Sequence, residues 1–301
     1  MSSIAYVTDE KMLEFHRISR NRSILFWRLS SKKKFSDFHK GDLLFFYSRP
    51  FHGRRKGLIG YAHFDSTRRL SLRQMWKDYG EATGYASMDL LREAISKASR
   101  GDIPKTMSCL YLTDVVFFRS PIYPEDIGIE IPSNLESYCY LDRTDPSVTV
   151  KIFDLADRYG IDLWSEDEHV SQNQVFRKDE IRHELAVIRK TLGKESGTEK
   201  ERLICRKAAS ERITEPGWEL IRGSRTDCVK IDEKTTYIGV PYAAQANSRD
   251  QRKRELVGKI AIYRMLAKQY KPDRPVMFEI ITDKVPEDIK ELVDELNNER
   301  F

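Results

Sequence analysis

Four near-continuous apolar and aromatic runs crowd the first 118 residues: Ile24–Leu29, Asp42–Tyr47, Leu58–Phe64 and Leu110–Phe118. Each is too short for a buried helix and rich in the β-branched and aromatic side chains that suit a pleated surface, so each predicts a strand. Gly41-Asp42 before the second run and Gly57 before the third supply turn punctuation. Helical spacing appears at Leu90, Leu91, Ala94 and Ile95. It returns at Val148, Ile152, Leu155 and Ala156, with Asp145-Pro146 as the start. A mixed, mostly β domain follows, a small barrel.

Ser165–Gln174 is polar, with little to bury, and marks the domain boundary. Beyond it the pattern turns helical: Ile181, Leu185, Ile188 and Leu192 share one helical face that ends at Gly193. Thr198, with Glu201 three residues on, is a capping box for a second helix. Strands are expected at Trp218–Ile221, Asp227–Ile231 and Thr236–Val240. A long helix carrying Leu256, Ile260, Tyr263 and Ala267 comes next, then a strand at Val276–Ile281 and a last helix from Pro286. A chain of 301 residues is about twice the usual domain size. The expected division is a first domain at 1–165, a linker at 166–178 and a second domain at 179–301, α+β overall.

No run approaches the roughly 18 apolar residues of a membrane span, and the N-terminal segment lacks the basic-then-apolar order of a secretion signal. Cys109, Cys139, Cys205 and Cys228 lie far apart, with no CxxC pair, which argues against a zinc site or disulfide framework. A cytoplasmic protein that does not engage membranes is expected.

Charge is unevenly placed. Lys11–Lys77 holds 17 Lys+Arg against 4 Asp+Glu, a balance of +13, although the whole chain, with 52 against 47, is only +5. In that window cations alternate with rings and glycines, as in Phe26-Trp27-Arg28, Phe38-His39-Lys40-Gly41 and Tyr47-Ser48-Arg49. Cations hold phosphates and flat rings accept bases, so nucleic acid is the expected partner, with DNA favoured over RNA.

The pieces Phe26-Trp27-Arg28-Leu29, then Asp37 to Tyr47 with its Lys40-Gly41-Asp42 turn, then Lys56-Gly57-Leu58-Ile59-Gly60-Tyr61-Ala62 resemble the PUA-like superfamily, particularly its EVE-type branch. The resemblance implies a pseudo-barrel that receives a flipped, often modified base in an aromatic pocket. It makes Trp27, Tyr47 and Tyr61 the expected walls and Ser48 an edge contact. Arg49, Arg54, Arg55 and Lys56 become phosphate contacts, with the Phe51–Lys56 loop foremost. Trp27 and Tyr61 also fit a plain barrel core, and that alternative stays open.

From Thr198 the order helix, three strands, helix, strand resembles the restriction-endonuclease-like core of PD-(D/E)xK nucleases. Asp227 falls where that family places its first metal-binding acid. Gly239-Val240-Pro241 stands where Glu-x-Lys belongs, so the motif is degenerate. Glu201, Lys230, Asp232 and Gln245 are the nearby replacements, although alternation puts Lys230 and Asp232 on the face opposite Asp227.

The leading expectation is a base-reading nucleic-acid-binding protein with a degenerate nuclease-like second domain, which by analogy suggests restriction or antiphage defence. One alternative is a modification-dependent endonuclease with a displaced site. It would need Mg²⁺ or Mn²⁺ at Asp227, and binding alone would need no cofactor. The other is a non-catalytic adaptor whose second domain forms a homodimer or meets a protein partner.

Overall fold

Strands form in the first half where the apolar runs lie, and both faces of those strands are buried. In the computed structural model of the chain, residues 2–29, 35–49, 55–132, 134–162, 166–283 and 285–298 are described, residues 166–171 by backbone alone. The chain divides into two units, Met1–Phe176 and Arg177–Phe301.

In the first unit β1 (Ser3–Val7), β2 (Ile24–Arg28), β3 (Leu43–Ser48), β4 (Gly57–Leu70), β5 (Met107–Ile122) and β6 (Tyr138–Tyr140) form one mixed sheet, ordered β2-β5-β4-β3-β1-β6. β1 runs parallel to β3, and every other neighbouring pair is antiparallel. Alternate residues part to two sides. Ile4, Ile24, Phe26, Leu44, Phe46, Ala62, Leu110 and Leu112 share one buried cluster, while Ala5, Phe45, Tyr61 and Val116 belong to another. Two-sided burial explains why the runs read as continuous rather than alternating.

Curvature brings distant strands together. The Tyr6 ring on β1 lies 4.8 Å from the Phe26 ring on β2, edge to face, although three strands separate β1 from β2 in the sheet. Register shifts between β3 and β4 and along β4 and β5 supply the local twist such closure needs. Gly60 sits at one of them. A Cβ there would stand 2.4 Å from the Val116 carbonyl oxygen, so a side chain would force the strands apart.

Helices close the remaining surfaces. α1 (Glu10–Ile18), capped by the Asp9 carboxylate accepting from Met12 N at 2.9 Å, sends Met12 and Leu13 into the inner cluster. α2 (Leu72–Tyr79) and α3 (Met88–Ala98) put Met75, Leu91 and Ile95 against Leu25 and Cys109 on the outer face of β2 and β5. α4 (Ser147–Tyr159) covers the opposite outer face through Ile152, Phe153 and Ala156. Fully burying one such aliphatic or aromatic side chain is worth about 1.5–3 kcal/mol.

The segment expected to be a linker, 166–178, is helical and falls within α5 (Glu166–Thr191). Phe176 packs into the first unit's core and Ile181, Leu185 and Ile188 into the second's, and the boundary between the units, after Phe176, falls inside the expected segment.

The second unit continues with α6 (Glu199–Arg212), β7 (Trp218–Leu220), β8 (Cys228–Ile231), β9 (Thr236–Val240), α7 (Arg249–Tyr270), β10 (Val276–Ile280) and α8 (Glu287–Asn298), in the order anticipated. The sheet runs β10-β9-β8-β7, with β9 and β10 parallel and the rest antiparallel. A parallel pair needs a crossover, and α7 supplies it, burying Leu256, Ile260, Tyr263 and Ala267. The capping box expected at Thr198 and Glu201 is present. Among the described residues, no helix is long and apolar enough to cross a membrane.

Candidate nucleic-acid interface

The sheet of the first unit has two edges, β2 and β6, and a cleft of about 690 Å³ lies along the seam where they face each other. Phe26, Trp27, Arg28 and Leu29 line it from the β2 side. Tyr6, Asp9, Ser137 and Tyr138 line it from the other. Rings dominate the walls: Tyr6 and Tyr138 stack with centroids 5.9 Å apart, and Phe35 lies 4.7 Å from Tyr138.

Arg28 is the charged member. As the fifth residue of a strand whose Ile24 and Phe26 point inward, it follows them into the barrel and is 9% exposed. Its Nη2 donates to Ser108 Oγ at 3.0 Å, and its guanidinium sits 5.0 Å from the Phe35 ring centroid. Burial raises the Tyr6 hydroxyl pKa, and the neighbouring guanidinium opposes that shift. Among the described residues, Trp27 Nε1, Arg28 Nε and Ser137 Oγ are buried without a hydrogen-bond partner, and all three residues line this cleft.

The three rings expected to wall one pocket do not converge: Trp27 lies apart, while Tyr47 and Tyr61 share one buried cluster. Trp27 lines the seam and also packs on the cluster beneath α2 and α3. Tyr61 is fully buried, its ring 5.6 Å from Phe45 and 5.4 Å from Phe153, which places it in the core. Tyr47 lines a second cleft of about 670 Å³ with Arg49, Arg55 and Lys56. The expected edge contact, Ser48, is buried and donates its hydroxyl to the Thr8 carbonyl at 2.8 Å, which fixes strand ends rather than a ligand.

That second cleft does gather the expected cations. Lys56 Nζ stands 5.8 Å from the Tyr47 ring centroid, and the Arg55 guanidinium 4.3 Å from that of Tyr123. Arg55 also meets Glu125 at 3.4 Å, both side chains being largely exposed. Arg54, with the rest of 51–54, lies outside the described residues.

Solved structures similar to this chain include ASCH from Zymomonas mobilis. It aligns with a TM-score of 0.35 and 12% identity over 51% of this chain and 94% of that one. A point mutant of the same protein aligns with a TM-score of 0.36 and 12% identity over 52% and 99%. No family model and no curated protein matches the sequence.

In the second unit the expected metal ligands do not converge. Asp227 is fully buried, and its carboxylate accepts from Tyr263 Oη at 3.0 Å, from Thr226 Oγ1 at 3.2 Å and from Lys259 Nζ, with Arg189 Nε 3.7 Å away. By continuation of the β8–β9 register its neighbour is Val240, buried in the apolar core, and Gly239, at the acid position of Glu-x-Lys, has no side chain to hold a metal. Glu201 is occupied separately by Ser248 Oγ at 2.6 Å, Thr198 N at 2.8 Å and Gln245 N at 3.0 Å, and these donors hold its carboxyl down at about 2. Lys230 and Asp232 pair with each other at 3.8 Å, and Lys230 also lies over Tyr237. Carboxylates already saturated by cations and hydroxyls do not fit a divalent ion. Among the described residues no three His, Cys, Asp or Glu side chains gather as a metal site.

Sequence reasoning missed Tyr6, Arg28, Phe35, Ser137 and Tyr138. Arg28 carried a usable signal, a charge at an inward strand position. Tyr138 carried none, because it reaches the seam only through the pairing of β6 with β1.

Proposed function

We propose that the first unit binds nucleic acid and receives one unpaired or extruded base in the seam cleft, in the manner of a PUA-like reading domain. The observation that carries this is the group of rings from Tyr6, Phe26, Phe35 and Tyr138 beside the buried Arg28, with Trp27 lining the same cleft. Leaving the duplex stack costs a base a few kcal/mol, and ring stacking with hydrogen bonds to its edge can recover that. The cationic cleft of Arg49, Arg55 and Lys56 would hold backbone phosphates. In this reading the second unit has a structural or partner-binding role. Its nuclease-like element order accompanies an Asp227 that serves as counter-ion to Lys259.

Fluorescence anisotropy with single-stranded and duplex DNA and RNA, plain or carrying 5-methylcytosine, tests the proposal. Salt-sensitive binding that Tyr138→Ala weakens, with circular dichroism unchanged, is expected. Absence of binding to every probe, or binding untouched by Tyr138→Ala and Trp27→Ala, would overturn it.

A further inference from the structure

Resting on that reading, we infer that the seam cleft selects its base through acceptor atoms and prefers guanine, read at O6 and N7 by Arg28. Three buried polar atoms without partners belong to residues lining this one cleft: Trp27 Nε1, Arg28 Nε and Ser137 Oγ. Indole and guanidinium nitrogens only donate, and the serine hydroxyl can donate as well. Buried donors left unpaired carry a desolvation penalty that an arriving acceptor removes.

The Tyr6 hydroxyl already engages the Arg28 guanidinium, so the donor left unpaired on that side chain is Nε. The Asp9 carboxylate is committed to capping α1 through Met12 N at 2.9 Å, and Glu136 sits at the exposed rim. Thr8 turns its own hydroxyl back to the Tyr6 carbonyl at 2.9 Å. The cleft is therefore a donor-rich surface between flat rings, and a ligand completing it must be flat and present acceptors along one edge.

Guanine fits that description. Its Hoogsteen edge carries two adjacent acceptors, O6 and N7, that a guanidinium fork meets together. Adenine and cytosine each set an amino donor against the fork, and thymine offers a single carbonyl beside its methyl group. The fork is held in place: one Arg28 nitrogen is anchored on Ser108 at 3.0 Å, the guanidinium stands 5.0 Å from the Phe35 ring centroid and bonds the Tyr6 hydroxyl, and Nε is left without a partner.

The test uses the full chain and labelled thymidine 15-mers with one central guanine, adenine, cytosine or 7-deazaguanine, the last lacking N7. Guanine is expected to bind at least tenfold tighter than adenine or cytosine, and 7-deazaguanine to lose most of that gain. Arg28→Lys, which keeps the charge and loses the fork, should bind all four alike, with circular dichroism reporting an intact fold. Equal affinity for the four oligonucleotides in the unaltered protein overturns the guanine inference, and if Trp27→Ala then weakens all of them the base-binding reading still stands. Loss of affinity on adding inorganic phosphate, with no difference among bases, also overturns it by assigning the donors to a phosphate. Failure of every oligonucleotide to bind removes both.

Discussion

Tyr6 and Phe26 meet edge to face at 4.8 Å across the seam of the first unit's sheet, although their strands stand three strands apart in hydrogen-bonded order. The contact shows that the sheet curls until its edges oppose, and the opposed edges create the cleft. Aromatic pairs of this kind add about 0.5–1.5 kcal/mol beyond their burial. Phe26→Leu should therefore loosen the seam and weaken base binding with a modest fall in thermal midpoint, read by calorimetry and anisotropy together.

Stacking is expected to dominate the affinity for a base. Trp27→Ala or Tyr138→Ala should cost about 1–3 kcal/mol for a single-stranded probe while leaving weak, salt-driven attachment in place. Tyr138, half-buried on a three-residue edge strand, is the cleaner test, since Trp27 also packs beneath α2 and α3.

Backbone attachment is assigned to the second cleft. Neutralising Arg49, Arg55 and Lys56 together should reduce the slope of log affinity against log salt by about 2, at roughly 0.7 per phosphate contact with a single strand. An unchanged slope in the triple variant would remove this cleft from the interface.

Buried histidines set an acid limit on stability. Burial holds the His16 imidazole down at about 3, and burial likewise brings His183 to about 3. Unfolded histidine titrates near 6.5, so the unfolded chain binds protons first as pH falls. The stabilisation is complete above about 6.5 and is lost progressively as pH drops toward 3. His16→Gln should flatten that part of the stability profile in urea titrations at stepped pH. A profile as steep as the unaltered protein's would contradict the assignment.

Asp227 is predicted to hold the second unit together. Asp227→Ala leaves Arg189 and Lys259 without their shared counter-ion. The cost should be about 3 kcal/mol, the low end for breaking a buried pair, because Lys259 keeps some contact with water. Mg²⁺ or Mn²⁺ should leave unmodified duplex DNA uncut by the unaltered protein. Cleavage abolished in a folded Asp227→Ala variant would contradict this and restore the displaced-site nuclease.

Much of the architecture was legible because it rests on local pattern. The runs at Ile24–Leu29 and Leu58–Phe64 became β2 and β4, and the helical stripe of Leu256, Ile260, Tyr263 and Ala267 became the buried face of α7. The boundary between the units falls within 166–178, but polar composition alone does not separate a helix from a linker. The site was less legible because it depends on closure. Tyr47 and Tyr61 share one buried cluster, and Tyr47, near the end of β3, also lines a cleft, which the sequence pattern does not distinguish. Tyr6 and Tyr138 join Arg28 only after a curled sheet brings β1 and β6 to β2.

The central claim is that a base enters the seam beside Trp27, and the Trp27 indole N–H reports on it directly. The chain has four tryptophans, so ¹⁵N–¹H spectra of the indole region remain simple, and Trp27→Phe assigns the signal. Titration with a single-stranded oligonucleotide should move the Trp27 signal saturably, with the dissociation constant found by anisotropy, and leave that of Trp218 in the second unit in place. A Trp27 signal unmoved when anisotropy shows the protein saturated would mean that nucleic acid binds elsewhere.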